Sequence, residues 1–323
     1  MKIVFMGTPR AAAISLERLL SDGNDIVAVY TQPDRPSGRG NKLHQSAVKE
    51  IASVADLPIY QPLKIKTEEA LTIFRSHQAD VVVVVAYGRI LPPGFLHAFR
   101  YGALNVHFSL LPKYRGAAPV NWAIVNGEHE TGVTVIQMNE GLDTGDILLQ
   151  RSTLIGAQEN AIELMERLSV LGAESISEAI NNIDSLKPVT QNDGEASFAP
   201  IMNKGEGLIN WNLNASDIER RIRGFQPFPS SYTFIGQSRL TIWRGEISPR
   251  DGPFAARPGT VIEADGDHFA VACGNSTVLT ITEIQPEGKR RMSVRDFLNG
   301  AKISPGDMFS STNRPISQQG EHN

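Results

Sequence analysis

Residues 105–119 read Asn105-Val106-His107-Phe108-Ser109-Leu110-Leu111-Pro112-Lys113-Tyr114-Arg115-Gly116-Ala117-Ala118-Pro119. The run from Tyr101 to Leu104 just before them reads as the start of a short buried strand. Alternate side chains of a strand share a face. Asn105, His107 and Ser109 are therefore expected on one face, with Leu104, Val106 and Phe108 on the other. An amide, an imidazole and a hydroxyl at the C-terminal end of a strand stand where open α/β sheets bind ligands. The loop that follows is rich in Pro and Gly and carries two cations, Lys113 and Arg115.

Working outward, strand-like and helix-like runs alternate. Ile3–Met6 and Ile26–Tyr30 read as strands, with a helix from Gly7-Thr8-Pro9 to about Leu20 between them. Thr8 is the expected N-cap and Pro9 the first helical residue. Further helices are expected over 46–54, 67–78, 119–126 and 160–182, and strands over 131–138 and 147–153. Five consecutive valines, Val81 to Val85, suit a strand covered on both faces. This alternation predicts a doubly wound, mostly parallel sheet. Beyond it the pattern changes to five short strands near 231–234, 238–247, 260–263, 268–273 and 277–284, the signature of a small barrel. A helix over 216–224 with Ser216 as N-cap precedes them, and a short one over 294–299 follows. The expected domains are 1–187, a linker over 188–205, a second domain over 206–309, and a disordered tail over 310–323.

The chain has 323 residues, 41 % hydrophobic and 20 % charged, with a formal net charge of −4. That balance argues against a protein that coats nucleic acid non-specifically, while leaving room for local basic patches. A single cysteine, Cys273, excludes an internal disulfide framework and a cysteine zinc site, and fits a reducing, cytoplasmic compartment. The seven histidines have no metal-ligand spacing, so no metal is expected. Met1-Lys2 leads straight into a strand, so neither a leader nor a membrane span is expected.

The string at 105–119 resembles the signature of the folate-dependent formyltransferases, in which Asn-x-His is followed by Ser-Leu-Leu-Pro and Arg-Gly. Gly141-Leu142-Asp143-Thr144-Gly145-Asp146 resembles the same family's catalytic Asp loop. Gly7-Thr8-Pro9, the loop Thr31-Gln32-Pro33-Asp34-Arg35-Pro36-Ser37-Gly38-Arg39-Gly40, the segment Ala86-Tyr87-Gly88-Arg89-Ile90-Leu91-Pro92, and Leu208-Ile209-Asn210-Trp211 extend the resemblance to the members that act on charged initiator tRNA. It implies a Rossmann-like formyltransferase domain with a smaller C-terminal OB-like barrel. It also implies transfer of a formyl group from 10-formyltetrahydrofolate to the α-amino group of methionine on initiator tRNA, by a monomer. The chain departs from the family pattern at Phe108, where a small residue is usual, and at Gly205, where more charge is usual.

Formyl transfer between nitrogens passes through a tetrahedral oxyanion and needs protons moved. Asn105 can donate an amide N–H to that oxyanion. His107 can relay a proton near neutral pH, and Asp143 would orient it. Glu140 and Asp146 are the neighbouring carboxylates; a turn role is expected for Asp146. The resemblance assigns folate recognition to Ala86, Tyr87, Gly88, Ile90 and Leu91, with Ser109, Leu110, Leu111 and Pro112 as the opposite wall. Ser109 is left open between a bond to backbone and a bond to ligand. By composition the loop 31–43 is a solvated, mobile loop; the resemblance makes Arg35, Arg39 and Lys42 contacts to the tRNA acceptor stem. Arg220 and Arg223, with Lys289, Arg290 and Arg291, form short basic clusters that are either solvated faces or phosphate contacts. Two other functions fit parts of this pattern: formylation of a small-molecule amine such as an amino-sugar nucleotide, and tRNA binding without catalysis.

Overall fold

All five valines of 81–85 are buried, as a strand covered on both faces requires. In the computed structural model, which describes residues 1–37, 42–249 and 256–310, they form the middle strand of a seven-stranded sheet. The strands in the first part of the chain are β1 (Lys2–Gly7), β2 (Asp25–Tyr30), β3 (Arg35–Ser37), β4 (Lys42–His44), β5 (Ile59–Tyr60), β6 (Val81–Val85), β7 (Ala103–His107), β8 (Arg115–Gly116), β9 (Glu130–Gln137), β10 (Asp146–Leu154) and β11 (Phe198–Ala199). The main sheet runs β10-β9-β7-β6-β1-β2-β5. β7, β6, β1, β2 and β5 are parallel, while β9 and β10 pair antiparallel at one edge. The chain winds outward from β1 to β5 and returns through β6, so the order reverses between β1 and β6. That switch point, at the C-terminal ends of the strands, is where such sheets bind ligands.

Helices form largely where expected: Arg10–Ser21, Ala47–Val54, Glu68–Ser76, Pro119–Val125 and Ala161–Asn181. Ser46 and Thr67 cap the second and third through their side-chain oxygens. Thr8 does not cap the first. Pro9 holds the N-cap position, and the Thr8 hydroxyl instead donates to the Tyr87 carbonyl at 3.2 Å.

Where it is described, at residues 31–37 and 42–43, the loop expected to be mobile has regular structure. β3 and β4 pair as an antiparallel hairpin, with Arg35 opposite His44. Its base is pinned by Asp34, which accepts from Lys49 Nζ at 2.6 Å and Gln61 Nε2 at 2.8 Å. Lys49, then Gln61, hold the Asp34 carboxyl below the usual carboxylate range. A lowered folded value means the anchor stabilises fully above that range and is lost as pH falls through it. The melting-temperature gap between the wild type and Asp34→Asn should therefore be open at neutral pH and close on acidification. A gap that stays constant down to acid pH would refute the anchor.

The first compact unit takes residues 1–120, 129–155 and 163–200; the second takes 121–128, 156–162 and the residues from 201 on. Residues 188–200 run with the first unit: Val189 bridges to Ile147, and β11 lies parallel to β8.

The second unit contains β12 (Ser231–Ile235), β13 (Ser238–Ile247), β14 (Val261–Asp265), β15 (His268–Ala272), β16 (Val278–Pro286), β17 (Met292–Ser293) and β18 (Phe309–Ser310). They form one antiparallel sheet in the order β14-β15-β16-β13-β12-β18, with β17 beside β16. A bridge between Thr260 and Met308 ties the end strand β18 back towards β14, curling the sheet into a barrel. The core of the barrel holds Trp211, Ile218, Ile222, Phe269, Cys273 and Phe309. Trp211 stacks on Phe309 and donates its indole N–H to Thr233. The helix over this core spans Ala215–Gly224, and its N-cap is Asn214 rather than Ser216. The Asn214 side chain accepts from the Asp217 N–H at 2.8 Å, while the Ser216 hydroxyl donates back to Asn214.

Candidate active site

The alternation along β7 holds through residue 108. A Cβ built on Gly172, in the helix Ala161–Asn181, would lie 2.9 Å from Val106 Cγ1 and 3.3 Å from Phe108 Cε1. Val106 and Phe108 thus pack together on the helix-covered face, and only a glycine leaves room for both. Asn105 and His107 take the opposite face. His107 is buried, while Asn105 is half-buried.

The imidazole is held at one nitrogen. His107 Nε2 lies 2.9 Å from the Tyr114 carbonyl oxygen. A carbonyl only accepts, so Nε2 carries the hydrogen and Nδ1 is the nitrogen left to change its protonation. Nδ1 faces Asp143 Oδ2 at 3.7 Å, longer than a hydrogen bond but within ion-pair reach. The same Oδ2 accepts from the Gly116 N–H at 2.9 Å. The segment 114–116 therefore grips both partners, His107 through a carbonyl and Asp143 through an amide.

Two of these residues adopt backbone angles that favour glycine: Tyr114 at φ 63° and Asp143 at φ 53°. Such conformations cost on the order of 1 kcal/mol or more and persist only where the surroundings enforce them. Here a distant segment does so. The Tyr114 N–H donates to Ser197 Oγ, the Arg115 N–H to the Ser197 carbonyl, and the Ala117 N–H to the Ala199 carbonyl, each at 2.9 Å. Gly116, at φ 123°, sits so close to that strand that a Cβ would lie 2.7 Å from the Ala199 oxygen. Arg115, a loop cation by sequence, is buried; its guanidinium donates to Gln191 Oε1 and to Asp193 Oδ1. Gln191 in turn donates to the carbonyls of Asp143 and Gly145.

The segment after β6 makes a tight turn, with Ala86 at φ 44° and Gly88 at φ 81°. The Tyr87 side chain is part of the core, and its carbonyl accepts from Thr8 and from Gln32 Nε2. Arg89 spans from Gln32 Oε1 to the Leu63 carbonyl. Leu91 is buried, whereas Ile90 is exposed. Ile90 and Leu91 line a cleft of about 440 Å³ with Ile65, Thr67, Leu71 and Glu140. Of the two bonds open to Ser109, the structure has the one to backbone: its hydroxyl donates to the Lys113 carbonyl at 2.6 Å. Thr134 Oγ1 donates to the Ser109 carbonyl and accepts from the Leu111 N–H and from Gln150 Nε2, which also reaches the Leu111 carbonyl. Leu110 packs by Gly132, and the Pro112 carbonyl accepts from Ser197. Thr134, Gln150, Gln191 and Ser197 were not singled out by sequence; single polar residues on a strand or in a connecting loop carry no local signal.

The cations differ in what they leave open. Arg35 is exposed on β3, Lys42 begins β4, and Arg39 lies outside the described residues. Arg220 pairs with Asp217. Arg223 is largely buried, pairing with Glu219 and donating to the Glu159 carbonyl at 2.9 Å. Lys289 and Arg290 are exposed between β16 and β17, and Arg291 pairs with Glu283 and lies over the Trp243 ring. Among the described residues no cluster of His, Cys, Asp or Glu is placed to hold a metal ion, and no helix is long and apolar enough to cross a membrane.

The formyl transferase family matches residues 1–180, and the formyl transferase C-terminal domain family matches 201–302. A methionyl-tRNA formyltransferase of Citrifermentans bemidjiense is 43 % identical over 318 residues, 98 % of each chain. One from Marinobacter nauticus is 45 % identical over 310 residues, covering 95 % of this chain and 99 % of its own. Among solved structures, WlaRD, a sugar 3N-formyl transferase determined with dTDP and 5-N-formyl-THF, shares the fold. Its TM-score is 0.65 at 21 % identity, over 90 % of this chain and 99 % of its own. With both domains matched in order and full-length relatives well above 30 % identity, the chain belongs to the methionyl-tRNA formyltransferase family.

Proposed function

We propose that the protein transfers the formyl group of 10-formyltetrahydrofolate to the α-amino group of methionine on charged initiator tRNA. The observation that carries this reading is the convergence of Asn105, His107 and Asp143 at the C-terminal end of β7, with His107 Nδ1 facing the Asp143 carboxylate. The amine attacks the formyl carbon and a tetrahedral oxyanion forms. The Asn105 amide donates to that oxygen; among the described residues no protein group occupies its side chain. The proton shed by the attacking amine passes by way of the Nδ1 edge of His107, where Asp143 balances the imidazolium charge, to the departing folate nitrogen as its C–N bond breaks.

The transfer is direct. Ser109 spends its hydroxyl proton on the Lys113 carbonyl. Cys273 is buried in the barrel core, its thiol pushed up to about 12 by burial. Neither is a usable acyl carrier. The folate is assigned to the turn at 86–91 and the wall at 109–112. Phosphate contacts are assigned to Arg35, Arg39, Lys42, Arg220, Arg223, Lys289, Arg290 and Arg291. Of these, Lys289 and Arg290 have no acidic partner among the described residues, whereas Arg220 and Arg223 would have to release theirs.

Purified protein supplied with 10-formyltetrahydrofolate should convert methionyl initiator tRNA to its N-formyl form, read as a blocked amine on hydrolysis of the ester. Formylation of a nucleotide-linked amino sugar with none of the charged tRNA would overturn the assignment.

A further inference from the structure

We propose that Gln191 is a positioning residue for formyl transfer, acting on Asp143 from behind; this rests on the functional reading above. Its side chain is 8 % exposed. Every hydrogen-bonding position of its amide is filled by the protein. Oε1 accepts from Arg115 Nε at 3.1 Å and Nη2 at 2.8 Å. Nε2 donates to the Asp143 carbonyl at 2.8 Å and the Gly145 carbonyl at 2.7 Å. The orientation of the amide is fixed by chemistry, because a guanidinium only donates and carbonyls only accept. No other side chain of similar length offers two acceptor pairs at one end and two donors at the other.

The two ends connect the halves of the site. Through Arg115, Gln191 holds the segment 114–116, whose Tyr114 carbonyl fixes His107 and whose Gly116 N–H fixes the Asp143 carboxylate. Through Nε2 it holds the Asp143 loop on both sides of Thr144. Asp143 is thus gripped at its carbonyl by Gln191 and at its carboxylate by Gly116, while its backbone is kept at φ 53°. Releasing the carbonyl frees the loop to relax towards ordinary angles and to carry Oδ2 away from Nδ1. Misplacement by about 1 Å in a proton-handling pair lowers rate by up to about 10²-fold without weakening substrate binding.

Gln191→Glu separates positioning from folding. The carboxylate keeps an acceptor for buried Arg115 but cannot donate to the two carbonyls. Its kcat should fall about 10- to 100-fold, with KM for folate and for charged tRNA within about threefold of wild type. In an Asp143→Ala background the same change should cost almost nothing more, because a residue that acts through Asp143 has nothing left to position. In protein labelled with ¹⁵N-histidine, the His107 ring signals of Gln191→Glu should move towards those of Asp143→Ala, a readout that needs no substrate. A kcat within twofold of wild type, an additive loss in the double variant, or unmoved His107 signals would each overturn the proposal. Should Gln191→Glu fail to fold, Gln191→Met is read by the same ring signals and the same double-variant comparison. Inactivity of the wild type on charged tRNA would count against the functional reading alone, since the ring signals still report on the positioning.

Discussion

Replacing His107 by alanine should lower formylation of charged initiator tRNA by about 10² or more. The imidazole is the one group on the proposed catalytic face of β7 with a nitrogen, Nδ1, left to take and return a proton, because Nε2 is committed to the Tyr114 carbonyl. Removing it also takes away the hydrogen bond to that carbonyl and so weakens the packing around the site. The loss should therefore be read in kcat on protein whose fold has been checked by circular dichroism. Binding of folate and tRNA should persist, because neither is assigned to the imidazole. Turnover near the wild-type value would remove His107 from the mechanism and leave the oxyanion donor Asn105 as the main source of catalysis.

The second large effect is on stability. Phe108 is buried behind the site, against Gly172 and beside Val106. Phe108→Ala should destabilise the protein by about 3–5 kcal/mol, the usual range for a phenyl ring deleted from a packed core. Urea unfolding measures this directly, and a loss under 1 kcal/mol would show that the ring is not a packing element. Turnover of the folded variant should change little, since the ring lies on the face away from His107. Gly172→Ala should be harmful in the wild type, where its methyl meets Val106 and Phe108. That part of its cost due to Phe108 should vanish when the ring is absent.

These two expectations mark what was legible in the sequence. Strand periodicity depends only on neighbours in the chain, so it separated His107 from Phe108 and marked the five valines as a two-faced strand. The same local logic found the five longest strands of the barrel and the helices over 46–54 and 67–78. It failed where the deciding partner is remote. Thr8 looks like a helix cap until Tyr87 supplies a carbonyl for its hydroxyl. Asp34 looks like part of a mobile loop until Lys49 and Gln61 pin it. Arg115 reads only as a cation in a Pro- and Gly-rich loop, yet it is buried against Gln191 and Asp193, far along the chain. The roles proposed for Asn105, His107 and Asp143 came from the resemblance to the family's motifs; the apparatus that holds them did not, because hydrogen bonds between single polar residues leave no period to read.

The grip of residues 191–199 on segment 114–116 also sets an order of maturation during synthesis. Every strand of the main sheet has been translated by Leu154, and the helix that covers Phe108 by Asn181. A nascent chain of that length can collapse around its valine strand, yet Tyr114 and Gly116 still lack the partners that keep them in place. The contacts that hold the segment gripping His107 and Asp143 are complete only once Ala199 has left the ribosome. A fragment ended after that helix would therefore look like a finished domain to a spectrometer while its chemistry was still unbuilt.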